Sequence, residues 1–334
     1  MMRLPKMSHV APMTIDEACS MLKKHRGEAR VLAGGTDLLV ACKLRNVKPV
    51  LLVSLGGISE LKGVRPLQEK GVSIGTMTPL RDLGESPLIR SNYPALAQAA
   101  ASVGSTQLRS MGTLGGNLCL NTRCIYYNQS EQWRKVRAVC FKMGGNVCHV
   151  VPKGKKCYAI FSGDTAPALI ALDAQATLVG SGGERRILVK ELYRGDGKKP
   201  LNLKPGEVLS EITLPPLSGK QGSTYLKFRL RGSIDFPLTG VAVRMDFSGD
   251  GICENCKVAL TAVGPGPMEA LKAQEVMIGK APTMELIAQA AKQAAKQARP
   301  LANTPGSTPA YRRKMVEILT RRALLAVTSQ LGSI

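Results

Sequence analysis

The chain has 334 residues, 44% hydrophobic and 21% charged, with 46 Lys and Arg against 24 Asp and Glu, so its net charge is +22. That apolar content excludes a disordered basic tail, and the length suggests about two domains. No window approaches the roughly 18 apolar residues of a membrane span, and Met1-Met2-Arg3-Leu4-Pro5-Lys6 lacks the apolar stretch of a secretory signal, so a soluble, cytoplasmic protein with no membrane partner is expected.

Thr14-x-x-Glu17 has capping-box spacing, and Ile15, Ala18, Cys19 and Leu22 follow at helical period, which predicts a helix over about 15–26. Residues 30–33 read as a strand that runs into the turn Gly34-Gly35-Thr36-Asp37 and then a helix from Leu38. A second apolar run at 50–53 completes a small β-α-β subdomain over about 1–56. Residues 72–75 are predicted as a strand and 93–102 as a helix stopped at Gly104. A second glycine cluster follows, Gly112-Thr113-Leu114-Gly115-Gly116-Asn117. Residues 164–172 read as an apolar helix capped by Asp164, and the stretch 120–161 looks inserted into a domain that runs from 1 to 217, its second subdomain being 57–217. Prolines, glycines and polar residues at 215–223 form a linker. Beyond it, three strands at 224–231, 239–247 and 252–263, with a hairpin turn at 248–251, precede helices at 268–277, 284–298 and 308–329, an α+β domain over 223–334.

A double glycine at a strand-to-helix turn lets backbone N–H groups approach an anion, so either glycine cluster could hold a pyrophosphate. Leu32-Ala33-Gly34-Gly35-Thr36-Asp37-Leu38-Leu39, Gly104 with Gln107 and Arg109, and Gly112 to Asn117 together resemble the FAD-binding medium subunits of the molybdenum hydroxylases, the xanthine oxidase and carbon monoxide dehydrogenase family. Asp164-x-x-Pro167, Pro205-Gly206-Glu207, Lys227-x3-Arg231-x3-Asp235 and Gly264-Pro265 occur in the family's order. The resemblance implies a two-subdomain PCMH-type FAD-binding domain, then a C-terminal α+β domain of the carbon monoxide dehydrogenase flavoprotein type. It implies FAD extended between the two glycine loops. Its expected contacts are Leu32, Ala33, Gly34, Gly35, Thr36, Asp37 and Leu38 from the first loop, Gly104, and Thr113, Gly116 and Asn117 from the second, with Leu209. Asp164 is expected near the adenosine or the flavin, and Lys227 near the isoalloxazine.

Five of nine cysteines, Cys119, Cys124, Cys140, Cys148 and Cys157, fall in or beside the insert, and six of thirteen aromatic residues accompany them. In a cytosolic chain such cysteines are expected to stay reduced rather than pair as disulfides. The spacing Cys124-x15-Cys140-x7-Cys148-x8-Cys157 lacks the paired knuckles usual for structural zinc, and leaves zinc and an iron–sulfur cluster both open. A cysteine-bearing insert at this place resembles that of the β subunit of 4-hydroxybenzoyl-CoA reductase. That resemblance implies one [4Fe-4S] cluster on Cys124, Cys140, Cys148 and Cys157, with Cys119 an alternative to Cys124. It also implies a molybdenum-cofactor large subunit, a small subunit with two [2Fe-2S] clusters, and ferredoxin as electron donor. The alternative is the FAD subunit of a conventional hydroxylase; a zinc-stabilised nucleic-acid-binding module is a remoter one.

Residues 121–160 carry Arg123, Arg134, Lys135, Arg137, Lys142, Lys153, Lys155 and Lys156 against Glu131, charge that would partly neutralise such a cluster. Only His9, His25 and His149 are present, and no catalytic constellation is seen, which suits an electron conduit. Cys253-x2-Cys256 is expected to be structural, because residues three apart on a strand point to opposite faces. The basic C-terminal helices, including Arg312, come without a nucleic-acid reader motif, so no nucleic acid is expected as partner.

Overall fold

The computed structural model describes residues 3–68, 71–217 and 219–330. The first subdomain is a parallel sheet ordered β1-β3-β2, built from β1 (Ser8–Val10), α1 (Ile15–Lys24), β2 (Ala29–Leu32), α2 (Leu38–Lys43) and β3 (Leu51–Ser54). The capping signal works as read: Thr14 Oγ1 accepts from the Glu17 amide at 3.2 Å, and the Glu17 carboxylate accepts from the Met13 amide at 2.9 Å. Ala18 and Cys19 of α1 bury against Val53 and Leu55. Strand β1 has too few residues for a periodic signal, and its parallel pairing with β3 creates it.

In the second subdomain, β4 (Val64–Pro66) and β5 (Val72–Gly75) precede a run of short helices: α3 (Leu80–Glu85), α4 (Pro87–Asn92), α5 (Pro94–Ser102), α6 (Thr106–Met111) and α7 (Leu114–Leu118). Then come α8 (Glu131–Lys135) in the cysteine-rich insert, α9 (Thr165–Ala171), β6 (Gln175–Gly180), β7 (Gly183–Leu188) and β8 (Val208–Leu214). The antiparallel sheet is ordered β4-β5-β8-β6-β7. Small residues let α5 approach its neighbours closely: Ala95, Leu96, Ala97, Ala99 and Ala100 are all buried, and the helix packs on α3 and α9. Helix α9 is capped otherwise than the sequence suggests. Asp164 stands at its N-cap without capping it; instead Asn117 Oδ1 accepts from the Thr165 amide at 3.0 Å and from its hydroxyl at 2.8 Å.

The C-terminal domain is an antiparallel sheet ordered β12-β11-β10-β9, formed by β9 (Lys220–Phe228), β10 (Thr239–Phe247), β11 (Cys253–Thr261) and β12 (Met268–Glu269). Helices α10 (Leu271–Met277), α11 (Met284–Gln297) and α12 (Pro309–Gln330) enclose its second core. Three expectations are corrected. Strand β9 already begins at Lys220, so the linker is shorter than 215–223, and Ser218 within it lies outside the described residues, as do 331–334. Residues 268–269 pair with β11 rather than starting a helix. Cys253 and Cys256 share the core face, because a bulge opposite Asp246 and Phe247 shifts the strand's phase and aligns Cys253 with Phe247 and Cys256 with Met245. The two domains also share packing, since Tyr225, Ala242 and Ala259 belong to the core of the second subdomain.

Candidate functional site

The two glycine loops meet. A Cβ on Gly34 would stand 1.8 Å from the Met111 carbonyl oxygen and 3.1 Å from Gly112 Cα, so only a hydrogen fits where the loops touch. Gly35 has φ +72°, a conformation that favours glycine. Among the described residues, the backbone N–H groups of Ala33, Gly34, Gly35, Thr36, Asp37 and Leu38 reach no protein acceptor, and all six residues are half-buried. Such a run of free amides at a glycine turn is equipped to bind an anion.

The second loop differs. Its Leu114 and Gly115 amides are used by the carbonyls of Thr78 and Thr76, and Thr113 Oγ1 accepts from the Gly116 amide at 3.1 Å. By residue pattern alone either loop could hold a pyrophosphate, and the family resemblance points to the first; free donors are concentrated on the first. Gly116 nevertheless faces open space, since its Cβ would meet only Thr113 Oγ1 at 3.1 Å and Ala33 Cβ at 3.9 Å. A cradle that a methyl group would fill, beside a run of free amides, fits a dinucleotide.

Asn117 ties this cradle to a second group of expected residues through Thr165. Asp164 Oδ1 accepts from Tyr225 Oη at 2.7 Å and Oδ2 from Lys227 Nζ at 3.1 Å. Lys227 also donates to the carbonyls of Ser102 and Asp235, both at 3.0 Å. Burial pushes the Asp164 carboxyl up and the Lys227 ammonium down, while their attraction opposes both shifts. All three ammonium protons of Lys227 are therefore engaged within the protein, and the lysine fastens β9 to the N-terminal domain beside Gly104. Gly104 has φ +49° and packs on Leu108. Leu209 lies in the core, and its carbonyl accepts from Thr76 Oγ1 at 2.7 Å.

The insert is closed at its base by the backbone pair Arg123 and Ile160. Arg123 also binds Asp37 of the first loop at 2.9 Å and lies over the Phe236 ring. Burial raises the Asp37 carboxyl and Arg123 pulls it back down. Arg134 reaches Asn46 Oδ1 at 2.9 Å and the Leu44 carbonyl at 3.1 Å, docking the insert on the first subdomain.

Cys124, Cys140, Cys148 and Cys157 line one pocket with Tyr127, Phe141 and Lys142. All nine cysteines are free thiols. Two of the four accept backbone N–H bonds, Cys148 Sγ from Val151 at 3.4 Å and Cys157 Sγ from Ala159 at 3.5 Å. Burial pushes the Cys124 and Cys157 thiols up. Lys142 sits among them as a cation, its Nζ donating to Asn121 Oδ1, Thr122 Oγ1 and the Gly197 carbonyl, and burial lowers it to about 8. Among the described residues, no three Cys, His, Asp or Glu side chains are grouped as a single metal ion requires. Sulfurs around one tetrahedral zinc stand about 3.8 Å apart, from a Zn–S bond of about 2.3 Å. Four free cysteines lining one cavity are the donor type that an iron–sulfur cluster takes, although they are not drawn together around one point.

Cys119 does not line that pocket; it packs against the second-subdomain core, where burial pushes its thiol up to about 12. His149 contacts the Ala138 carbonyl at 2.9 Å. Arg312 is no surface residue: it is fully buried and donates to the carbonyls of Leu238, Leu301 and Ala262. Tyr225, Thr165 and Asn303 build the site without having been singled out in the sequence, because each acts across a long chain separation.

Residues 5–217 match the family described as the FAD binding domain in molybdopterin dehydrogenase, and 223–327 the carbon monoxide dehydrogenase flavoprotein C-terminal domain. The chain is 30% identical over 325 residues to the carbon monoxide dehydrogenase medium chain of Hydrogenophaga pseudoflava, covering 96% of this chain and 97% of that one. It is 34% identical over 258 residues to the aldehyde oxidoreductase FAD-binding subunit of Escherichia coli, with 74% and 79% covered. Carbon monoxide dehydrogenase from Hydrogenophaga pseudoflava superposes with a TM-score of 0.81 at 28% identity, covering 99% of this chain and 100% of that one. The Cu,Mo-CO dehydrogenase structure gives 0.81 at 26%, covering 98% and 99%. No helix among the described residues is long and apolar enough to cross a membrane. Free amides and open glycine cradle thus sit in a fold of matching sequence, and the chain belongs to the molybdenum hydroxylase family as an FAD-binding subunit of the carbon monoxide dehydrogenase medium-chain type.

Proposed function

We propose that this chain is an electron-transfer subunit that carries a [4Fe-4S] cluster on Cys124, Cys140, Cys148 and Cys157 in addition to FAD, in a complex resembling 4-hydroxybenzoyl-CoA reductase. The carrying observation is the single cavity lined by these four free cysteines. FAD, when bound, supplies exchange between one- and two-electron carriers. The residues of this chain do the holding: the amides of 33–38 face an anion, Gly116 leaves room, and Lys142 supplies positive charge beside the thiolates. Substrate chemistry then belongs to a molybdenum large subunit, reached through a small subunit with two [2Fe-2S] clusters. Exposed Val136 and Val139, beside Lys135 and Arg137 on the insert, support an acidic donor such as ferredoxin.

Relatives named for carbon monoxide, aldehyde and nicotinate favour a second reading, the FAD subunit of a conventional hydroxylase that receives electrons from the molybdenum centre. Anaerobically purified protein should contain one FAD with about four iron and about four acid-labile sulfide per chain. One zinc without sulfide sinks the cluster. The assembled complex should reduce 4-hydroxybenzoyl-CoA with reduced ferredoxin; oxidation of an aldehyde, nicotinate or carbon monoxide instead establishes the second reading.

A further inference from the structure

The insert's ends leave its base as an antiparallel pair, with Arg123 opposite Ile160 and bonded in both directions at 2.7 Å. If that ladder continued, Ile125 would face Tyr158 and the two ends would zip together. They do not, because each is bonded to Asn303, a residue of the C-terminal domain. The Ile125 amide donates to the Asn303 carbonyl at 2.9 Å, and Asn303 Nδ2 donates to the Tyr158 carbonyl at 2.7 Å. Ile125 follows Cys124 and Tyr158 follows Cys157, so one side chain and one carbonyl fix the backbone beside two of the four cysteines.

Asn303 is itself firmly held. It is 3% exposed, and its amide donates to the Leu301 carbonyl at 2.8 Å. That same carbonyl accepts from Arg312 Nη1 at 2.9 Å. Arg312 is fully buried and anchored to Leu238 and Ala262 from β-sheet loops of the same domain. The wedge therefore has a rigid backing. Asn303 Oδ1 is buried and has no protein partner among the described residues.

We propose that Asn303 is the positioning residue of the cysteine site: it wedges between the two ends of the insert and sets the separation of Cys124 and Cys157 so that four sulfurs can span a polynuclear cluster. This rests on the cluster reading above. The C-terminal domain then has a share in a site whose ligands all belong to the other domain. Without the wedge, the ladder extends past Arg123 and Ile160, and Cys124 and Cys157 are drawn out of the pocket.

The test uses the full chain, purified anaerobically, as wild type, Asn303→Asp and Asn303→Ala. The aspartate keeps the shape and replaces the donor to Tyr158 by an acceptor; the alanine removes the side chain and leaves the backbone carbonyl. Iron, sulfide and FAD per chain are measured with the electron paramagnetic resonance spectrum and midpoint potential of the reduced cluster. Both variants are expected to keep FAD at the wild-type ratio. Both should lose at least half of the iron and sulfide, or retain them with an altered spectrum and a shifted potential. Wild-type iron, sulfide, spectrum and potential in both variants overturn the proposal alone, and so does parallel loss of FAD and iron, which marks a general folding role. Absence of sulfide from the wild type overturns the cluster reading and this proposal with it.

Discussion

Gly34→Ala and Gly116→Ala separate what the glycine loops do for the fold from what they do for the cofactor. On Gly34 the added methyl would lie 1.8 Å from the Met111 carbonyl oxygen and 2.7 Å from its carbon, both backbone atoms that cannot swing aside. The loops must part by more than 1 Å, a distortion typical of overpacking at about 1–3 kcal/mol. If about 2 kcal/mol of that falls on the FAD-bound form, affinity drops roughly thirtyfold. On Gly116 the methyl meets Thr113 Oγ1 at 3.1 Å and otherwise enters the cradle. Because Gly116 lies within a short helix, alanine there should leave unfolding unchanged or raise it by up to about 1 kcal/mol, while FAD binding still falls. The assay is titration of apoprotein with FAD by flavin fluorescence, alongside urea unfolding of the apoproteins. Wild-type FAD affinity in Gly116→Ala would refute the cradle, and wild-type affinity in Gly34→Ala would refute the contact between loops as a requirement for binding.

Cys140→Ser should abolish the cluster absorbance and keep FAD; an unchanged spectrum removes Cys140 from the ligand set. Asp164→Asn leaves buried Lys227 without its countercharge and should cost about 3–5 kcal/mol, against about 1–2 kcal/mol for Tyr225→Phe; urea midpoints in the reverse order contradict the pairing. Glu207 holds Arg185 through two contacts of 2.8 Å, and those bonds keep its carboxyl below the ordinary value of 4.5. Its stabilisation is therefore present above that value and fades as pH falls through the folded-state pKa. Glu207→Gln should cost about 1 kcal/mol at pH 7, and the difference from wild type should close as acidification protonates the folded-state carboxyl, below its ordinary value of 4.5; a gap that widens toward acid contradicts this sign.

Chain-local signals carried much of the architecture. The capping box at Thr14, the hairpin turn between β10 and β11, the alanine-rich α5 and the two glycine turns each act through neighbours in sequence, and so each was legible there. Errors arose where a local rule met a distant partner. A bulge turned Cys253 and Cys256 to one face, and Asn117 took over the capping of α9 while Asp164 turned to Tyr225 and Lys227.

The sequence by itself determined which residues are chemically equipped: glycines where backbone must approach closely, four thiols in a polar insert, and a cationic surplus around them. Tertiary structure decided which of these act together. It gave the free amides to the first loop by using those of the second in contacts with Thr76 and Thr78. It buried Arg312, which by sequence belonged to a basic surface, because three carbonyls from separate segments converge on its guanidinium. It brought Asn303 between Ile125 and Tyr158. Hydrogen bonds across more than a hundred residues leave no periodic trace, since their partners are chosen by packing rather than by spacing along the chain.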